Sequence, residues 1–167
     1  AAAIATLRKA QKPLIIAGGG VLYSQATAEL KAFAGMHGIP VAVTQAGKSA
    51  LPDDHPLCMG SVGVTGTSAA NAFAEEADVI LAVGTEFGST DYDWFEQGGA
   101  KFNGKTIRID IDAQQIVRSR QPDLPIVADA SEAAAALVPL LNAAQRNGAA
   151  RAAGERCVRR SVPAHRP

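Results

Sequence analysis

The sequence predicts an α/β protein of three layers, with a doubly wound, mainly parallel sheet of five to six strands between helices. Three observations predict it. Residues 14–17 and Val79–Val83 are short and uniformly apolar, the mark of strands covered on both faces as in a parallel sheet. Between such runs lie segments whose apolar residues recur at helical spacing, as Ala26, Leu30, Phe33 and Ala34 do. Glycine follows the runs at once, as Gly18-Gly19-Gly20 after the first and Gly84 after the third.

In order along the chain, residues 2–11 read as a helix stopped by Pro13, and the Ala-rich start reads as a helix entered in its middle. The first strand covers 14–17. A helix over 24–37 begins at a Ser24 cap and ends at Gly38. Residues 39–43 are the second strand, and 44–66 form a long loop with turns at Gly47, at Pro52-Asp53-Asp54 and from Gly60 to Gly66. Thr67 caps a helix to Glu76, which leads into the strand Val79–Val83. Residues 85–104 form a second irregular stretch, holding Trp94 and Asp91-Tyr92-Asp93. In the strand at 106–111, Ile107, Ile109 and Ile111 alternate with Arg108 and Asp110, which predicts a more exposed face or a strand end. A short helix at 113–119, a strand at Leu124–Val127 and a helix from an Asp129 cap to 145 complete the order. Glu132 stands at the capping-box position of that helix, and Pro139 predicts a kink or break within it.

Composition bounds the function. With 47% hydrophobic and 19% charged residues over 167, the chain suits one soluble domain with one sizeable core. Residues 1–145 carry ten Lys and Arg against fifteen Asp and Glu, a net of −5. Residues 146–167 carry six Arg against Glu155, a net of +5, with few large apolar residues. No aromatic interleaves these arginines, so 146–167 reads as a flexible basic linker or truncation tail rather than a nucleic-acid-binding arm. Two cysteines, Cys58 and Cys157, make neither a disulfide framework nor a ligand set, and a reduced, cytoplasmic setting is expected. No apolar run approaches the ~20 residues of a membrane span, and residues 1–5 lack the charged leader of a signal peptide.

Ligands in such Rossmann-like sheets bind beyond the carboxyl ends of the strands, where four loops carry candidate chemistry. Gly18-Gly19-Gly20 allows close backbone approach to a phosphate or makes a bare tight turn; it lacks the third spaced glycine of the dinucleotide fingerprint. Thr44-Gln45 is followed by Lys48, a phosphate partner or a solvated lysine. The glycines from Gly60 to Gly66 lead into a helix start, either an anion nest or a connector. Gly84-Thr85-Glu86-Phe87-Gly88 brings an acid close behind its strand. Asp110 and Asp112 suit a ribose hydroxyl by position, or cap the short helix at 113. His37, His55 and His165 lie far apart with no nucleophile elbow nearby, and no metal-ligand spacing is present, so no catalytic set emerges.

These segments together resemble a known family. Gly47-Lys48-Ser49-Ala50-Leu51-Pro52-Asp53-Asp54-His55-Pro56-Leu57, Gly66-Thr67-Ser68-Ala69-Ala70-Asn71, Ala77-Asp78-Val79-Ile80-Leu81-Ala82-Val83-Gly84-Thr85 and Ile107-Arg108-Ile109-Asp110-Ile111-Asp112 are similar to the central domain of thiamine-diphosphate-dependent 2-oxo acid enzymes, the acetolactate synthase-like family. The likeness keeps order and spacing over residues 4–141. It implies a middle domain at 1–145 whose partners are a first and a third domain of the same chain, in a homo-oligomer. The parent would carry thiamine diphosphate and magnesium, bound by those other domains, and would decarboxylate or carboligate a 2-oxo acid. By the same resemblance, nucleotide contacts in this domain would fall on Gly18, Gly19, Gly20, Thr44, Gln45, Gly63, Gly84, Asp110, Ile111 and Asp129. The family admits FAD or ADP there. FAD-binding members look like Gly-x-Arg-Phe-Asp-Asp-Arg where this chain has Gly84-Thr85-Glu86-Phe87-Gly88-Ser89-Thr90, and reversing a charge beside a diphosphate argues against FAD. The stretch 85–93 looks more like decarboxylases of guanidino-oxo acids. The competing expectation is a free-standing FAD-, ADP- or NAD-binding module. On either reading the chain alone is not catalytic, and neither nucleic acid nor a membrane is a partner.

Overall fold

In a computed structural model the described residues are 2–88, 101–118 and 120–137. They form one six-stranded sheet flanked by helices. The chain runs α1 (Ala2–Lys9), β1 (Pro13–Ala17), α2 (Gly19–Tyr23), α3 (Thr27–His37), β2 (Val41–Val43), β3 (Cys58–Ser61), α4 (Ser68–Glu76), β4 (Val79–Val83), β5 (Lys105–Asp110), a 3₁₀ turn at Gln115–Val117, β6 (Leu124–Val127) and α5 (Ala130–Leu137). Every strand pair is parallel, in the order β3-β2-β1-β4-β5-β6. The order reverses between β1 and β4, the switch point where ligands of doubly wound sheets bind.

Period-two alternation divides the sheet residues between two cores. Ile15, Ala17, Val41, Val43, Leu81, Val83, Ile107 and Ile109 face a layer built from α1, α3 and α5, including Ile4, Leu30, Phe33 and Ala130. Leu14, Ile16, Ala42, Ile80 and Ala82 face Phe73 and Ala74 of α4, with Phe87 and Phe102. β1 and β4 are therefore apolar at every position, as their sequences predict. The Asp78 carboxylate ties the starts of β1 and β4 together, accepting from the amides of Gln11 (2.6 Å) and Lys12 (2.9 Å). The Lys12 ammonium pairs with Glu76 beside it.

Four local expectations are corrected. The helix expected over 24–37 starts later, at Thr27, and a separate short helix, α2, precedes it at Gly19–Tyr23. Gln25 adopts φ 55 and breaks the run, so Ser24 closes α2 instead of capping the next helix, and its hydroxyl donates to the Gly20 carbonyl (2.7 Å). The loop expected at 44–66 contains β3, a short edge strand whose sequence Cys58-Met59-Gly60-Ser61 carries no strand signature. The second strand starts at Val41 rather than at 39, because Pro40 precedes it. Arg108 does not lie on an exposed face: it is wholly buried, packs over the Phe87 ring at 5.4 Å and donates to the Arg118 carbonyl at 2.9 Å. The caps at Thr67 and Asp129 form as expected: the Thr67 hydroxyl accepts from the Ala70 amide (3.1 Å), and the Asp129 carboxylate accepts from the Ser131 amide (2.8 Å). Pro139, the helix end at 145, Trp94, Asp91-Tyr92-Asp93 and the basic tail lie outside the described residues.

Candidate functional site

A cleft of about 440 Å³ opens at the carboxyl ends of the strands, astride the switch point. Two unlike walls bound it. The first is backbone, from the turns after β1, β2 and β4. Here the glycines let main chain touch main chain. The Gly18 amide donates to the Val83 carbonyl and the Gly20 amide to the Gly84 carbonyl, both at 2.9 Å, while the Gly84 amide donates to Ile109 at 2.9 Å. A Cβ on Gly20 would stand 2.7 Å from the Gly84 Cα, and Gly84 itself has φ 56, so neither position admits a larger residue without a shift. Thr44 is buried beside them, its amide bonded to the Ala17 carbonyl (2.9 Å) and its hydroxyl accepting from the Gly47 amide (3.1 Å).

The second wall is made by side chains after β5 and β6. Asp110 is nearly buried; its Oδ1 accepts from the Asp112 amide (3.0 Å) and its Oδ2 lies 3.9 Å from the Arg108 guanidinium. The Asp112 Oδ1 accepts from the Gln114 amide (2.7 Å) at the start of the 3₁₀ turn. Tyr23 and Ile111 line the mouth at 89% and 72% exposure, large apolar groups left to solvent where a ligand could cover them. Glu86, also exposed, projects from the turn after β4.

Of the residues anticipated from sequence, Gly19, Gly20, Thr44, Gly84, Asp110 and Ile111 line this one cleft, with Glu86 and Asp112. Gly18 is not among the lining residues; its amide bonds to Val83. Gln45 is exposed and is not among the lining residues, and neither is Lys48. Gly63 stands elsewhere, in the turn after β3, where Asn71 bonds both its amide and its carbonyl at 2.9 Å. Asp129 sits between lining residues Ala128 and Ala130 and caps α5; the bonds from Ser131 hold its carboxyl below the usual range. Sequence reasoning missed Tyr23, Ser24 and Gln115 as lining residues, while Thr85 lies in the loop it singled out. Tyr23 could have been found only by placing the helix break at Gln25, and nothing in that residue type announces a left-handed backbone.

Titratable groups away from the cleft have ordinary physical causes. Burial pushes the Cys58 thiol up, and burial beside Lys31 pushes the His55 imidazole down. Among the described residues no three His, Cys, Asp or Glu side chains converge as a metal site would need. None of the described helices is long and apolar enough to cross a membrane.

The family model for the central domain of thiamine pyrophosphate enzymes matches residues 1–137. The chain belongs to that family. As a thiamine pyrophosphate enzyme central domain it is similar to 3D-(3,5/4)-trihydroxycyclohexane-1,2-dione hydrolase 2 of Bacillus cereus, 39% identical over 142 residues, which is 84% of this chain and 21% of that protein. A trihydroxycyclohexane-1,2-dione hydrolase of Bacillus anthracis is 39% identical over 81% of this chain and 21% of its own. That of Bacillus thuringiensis (strain Al Hakam) is 38% identical over the same shares. The chain thus spans about a fifth of the length of the curated relatives it matches. In this central domain the glycines after β1 and β4 join backbone to backbone, a role that holds whether or not a ligand fills the cleft.

Proposed function

We propose that this chain is the structural, nucleotide-binding-like middle domain of a thiamine-diphosphate-dependent enzyme and that it turns over nothing alone. The observation that carries the reading is the family match over residues 1–137. The cleft agrees with it. Among the described residues its lining holds no His, Cys, Lys or Arg, so it offers no imidazole, no thiol and no electrophilic cation. Its work is to present rigid loops, and Gly19, Gly20, Thr44, Gly84, Asp110 and Ile111 are the residues a cleft ligand would touch.

In the parent, first and third domains of the same polypeptide would bind thiamine diphosphate and magnesium in a cytoplasmic homo-oligomer, with residues 146–167 as the linker onward. Bound between those domains, the cofactor would supply carbanion stabilisation. An acetolactate synthase-like parent would take a 2-oxo acid for decarboxylation or carboligation. The names of the relatives favour a second reading, a cyclic 1,2-dione consumed by hydrolysis. Both substrates place two carbonyl carbons side by side, and that shared feature is the reading we adopt. The test has two parts. The 167-residue chain with thiamine diphosphate and magnesium is expected to turn over neither class, and measurable turnover would sink the structural role. The long polypeptide containing this segment is then assayed for carbon dioxide release from 2-oxo acids and for loss of cyclic diones. Inactivity on both, or turnover independent of thiamine diphosphate, would refute the parent's reaction.

A further inference from the structure

We infer that the cleft of this domain is closed to diphosphate-bearing nucleotides, FAD and ADP included. Family likeness admits both, so the residues present decide the fit. A diphosphate in such a cleft needs amide donors, cations, or both. Of the glycine-turn amides, three are engaged within the protein, Gly18 with Val83, Gly20 with Gly84 and Val21 with Gly18, which leaves only that of Gly19 to face a ligand from this turn. Those of Thr44, Gly47 and Gly84 are engaged with Ala17, Thr44 and Ile109. The helix behind the turn, α2, has five residues and little dipole to offer.

Charge points the same way. The lining carries Glu86, Asp110 and Asp112 and, among the described residues, no lysine or arginine. Arg108, the nearest guanidinium in the chain order, is buried under β5 and Phe87 with Asp110 between it and the cleft. A diphosphate entering here would leave its hydration for a carboxylate rim, an arrangement that costs free energy at each approach of like charges. The cleft accordingly discriminates by charge. It takes ligands without a diphosphate, whose hydroxyls meet Asp110 and whose apolar or planar face meets Tyr23 and Ile111.

Glu86 is the residue to change, because it is exposed and its substitution leaves the core untouched. The full 167-residue chain, its Glu86→Arg variant and its Glu86→Gln variant are titrated calorimetrically with ADP and FAD, after thermal melts establish that all three fold alike. The wild type is expected to show no saturation below about millimolar ligand. Glu86→Arg should tighten ADP by about tenfold, Glu86→Gln by less, and the differences should shrink as salt screens the rim. Adenosine and ADP are compared by ligand-observed NMR on the wild type, with ADP bound no more tightly than adenosine. Micromolar ADP or FAD binding by the wild type, tighter binding of ADP than of adenosine, or no gain in Glu86→Arg would each overturn the inference. None of these outcomes touches the central-domain assignment, which rests on the sequence match.

Discussion

The two walls of the cleft are built on opposite principles. The wall after β1 and β4 is main chain against main chain, with Gly20 and Gly84 in direct contact and their amides bonded inward. The wall after β5 and β6 is side chains, with Asp110, Ile111 and Asp112 reaching into or over the cleft. A backbone wall is rigid and intolerant: a carbon added at Gly20 or Gly84 collides with main-chain atoms that cannot rotate away. A side-chain wall is adjustable, because its members can be exchanged without moving a strand. The charge selectivity we propose would therefore reside on the β5–β6 side and at Glu86, while the glycine side fixes the geometry those residues act upon.

Breaking the backbone wall should have the largest effect. In Gly84→Ala a Cβ meets the Gly20 Cα at 2.7 Å in a residue held at φ 56. Backbone strain and overpacking together are expected to remove about 3–4 kcal/mol of stability, read from urea unfolding. Glu86→Gln, on the same turn but exposed, should stay within about 0.5 kcal/mol of the wild type. Equal losses in the two variants would erase the distinction between a rigid and an adjustable wall.

Arg108 tests whether the side-chain wall has a structural root. Its guanidinium is buried beside the Asp110 carboxylate and over Phe87, so truncation in Arg108→Ala leaves a cavity beneath the wall. A loss of about 2–3 kcal/mol is expected. Arg108→Met keeps the volume and removes a buried charge, and should fall within about 1 kcal/mol of the wild type. If Met proves as damaging as Ala, the ionic contact and not the packing supports Asp110.

What could be read from the sequence follows the same division. Apolar runs at 14–17 and Val79–Val83 disclosed the buried parallel strands, because burial on both faces leaves one composition to choose from. Gly20, Gly84 and Asp110 were legible as cleft residues by their place after strands. The edge strand Cys58–Ser61 was not, since an edge needs few apolar positions and takes its form from pairing with β2. Arg108 was misread because alternation with isoleucine normally signals a polar outer face, and a buried arginine defeats that rule. Nor could the sequence tell that the Gly18 and Gly20 amides bond across to β4 and its turn, a tertiary fact that changes a phosphate cradle into a strand-to-strand clasp.

Farther from both walls, the cap of α4 provides a scale for ordinary local effects. The Thr67 hydroxyl accepts from Ala70 and donates to the Met59 carbonyl (3.1 Å), linking the helix start to β3. Thr67→Ala is expected to cost about 1 kcal/mol, by thermal or chemical unfolding, without altering ligand selectivity at the cleft. A change in the adenosine-to-ADP preference of this variant would mean that the walls are coupled to the distant β3 edge.

The smallest expected effect is a pH dependence that belongs to neither wall. The His55 Nδ1 accepts from the Leu57 amide (3.2 Å), and burial, then the charge of Lys31, lowers its pKa. The folded imidazole thus gives up its proton more readily than an unfolded one, whose pKa is about 6.5. In the window between the two values the unfolded state binds more protons, so stability rises with pH through it and is lost as pH falls below about 6.5. Protonation at Nδ1 would also remove the acceptor for Leu57, which acts in the same direction. A proton-NMR titration of the His55 ring should give a midpoint below that of a model peptide, and His55→Gln should flatten the corresponding part of the stability curve. A midpoint at or above the peptide value would show that the β2–β3 loop opens the ring to solvent.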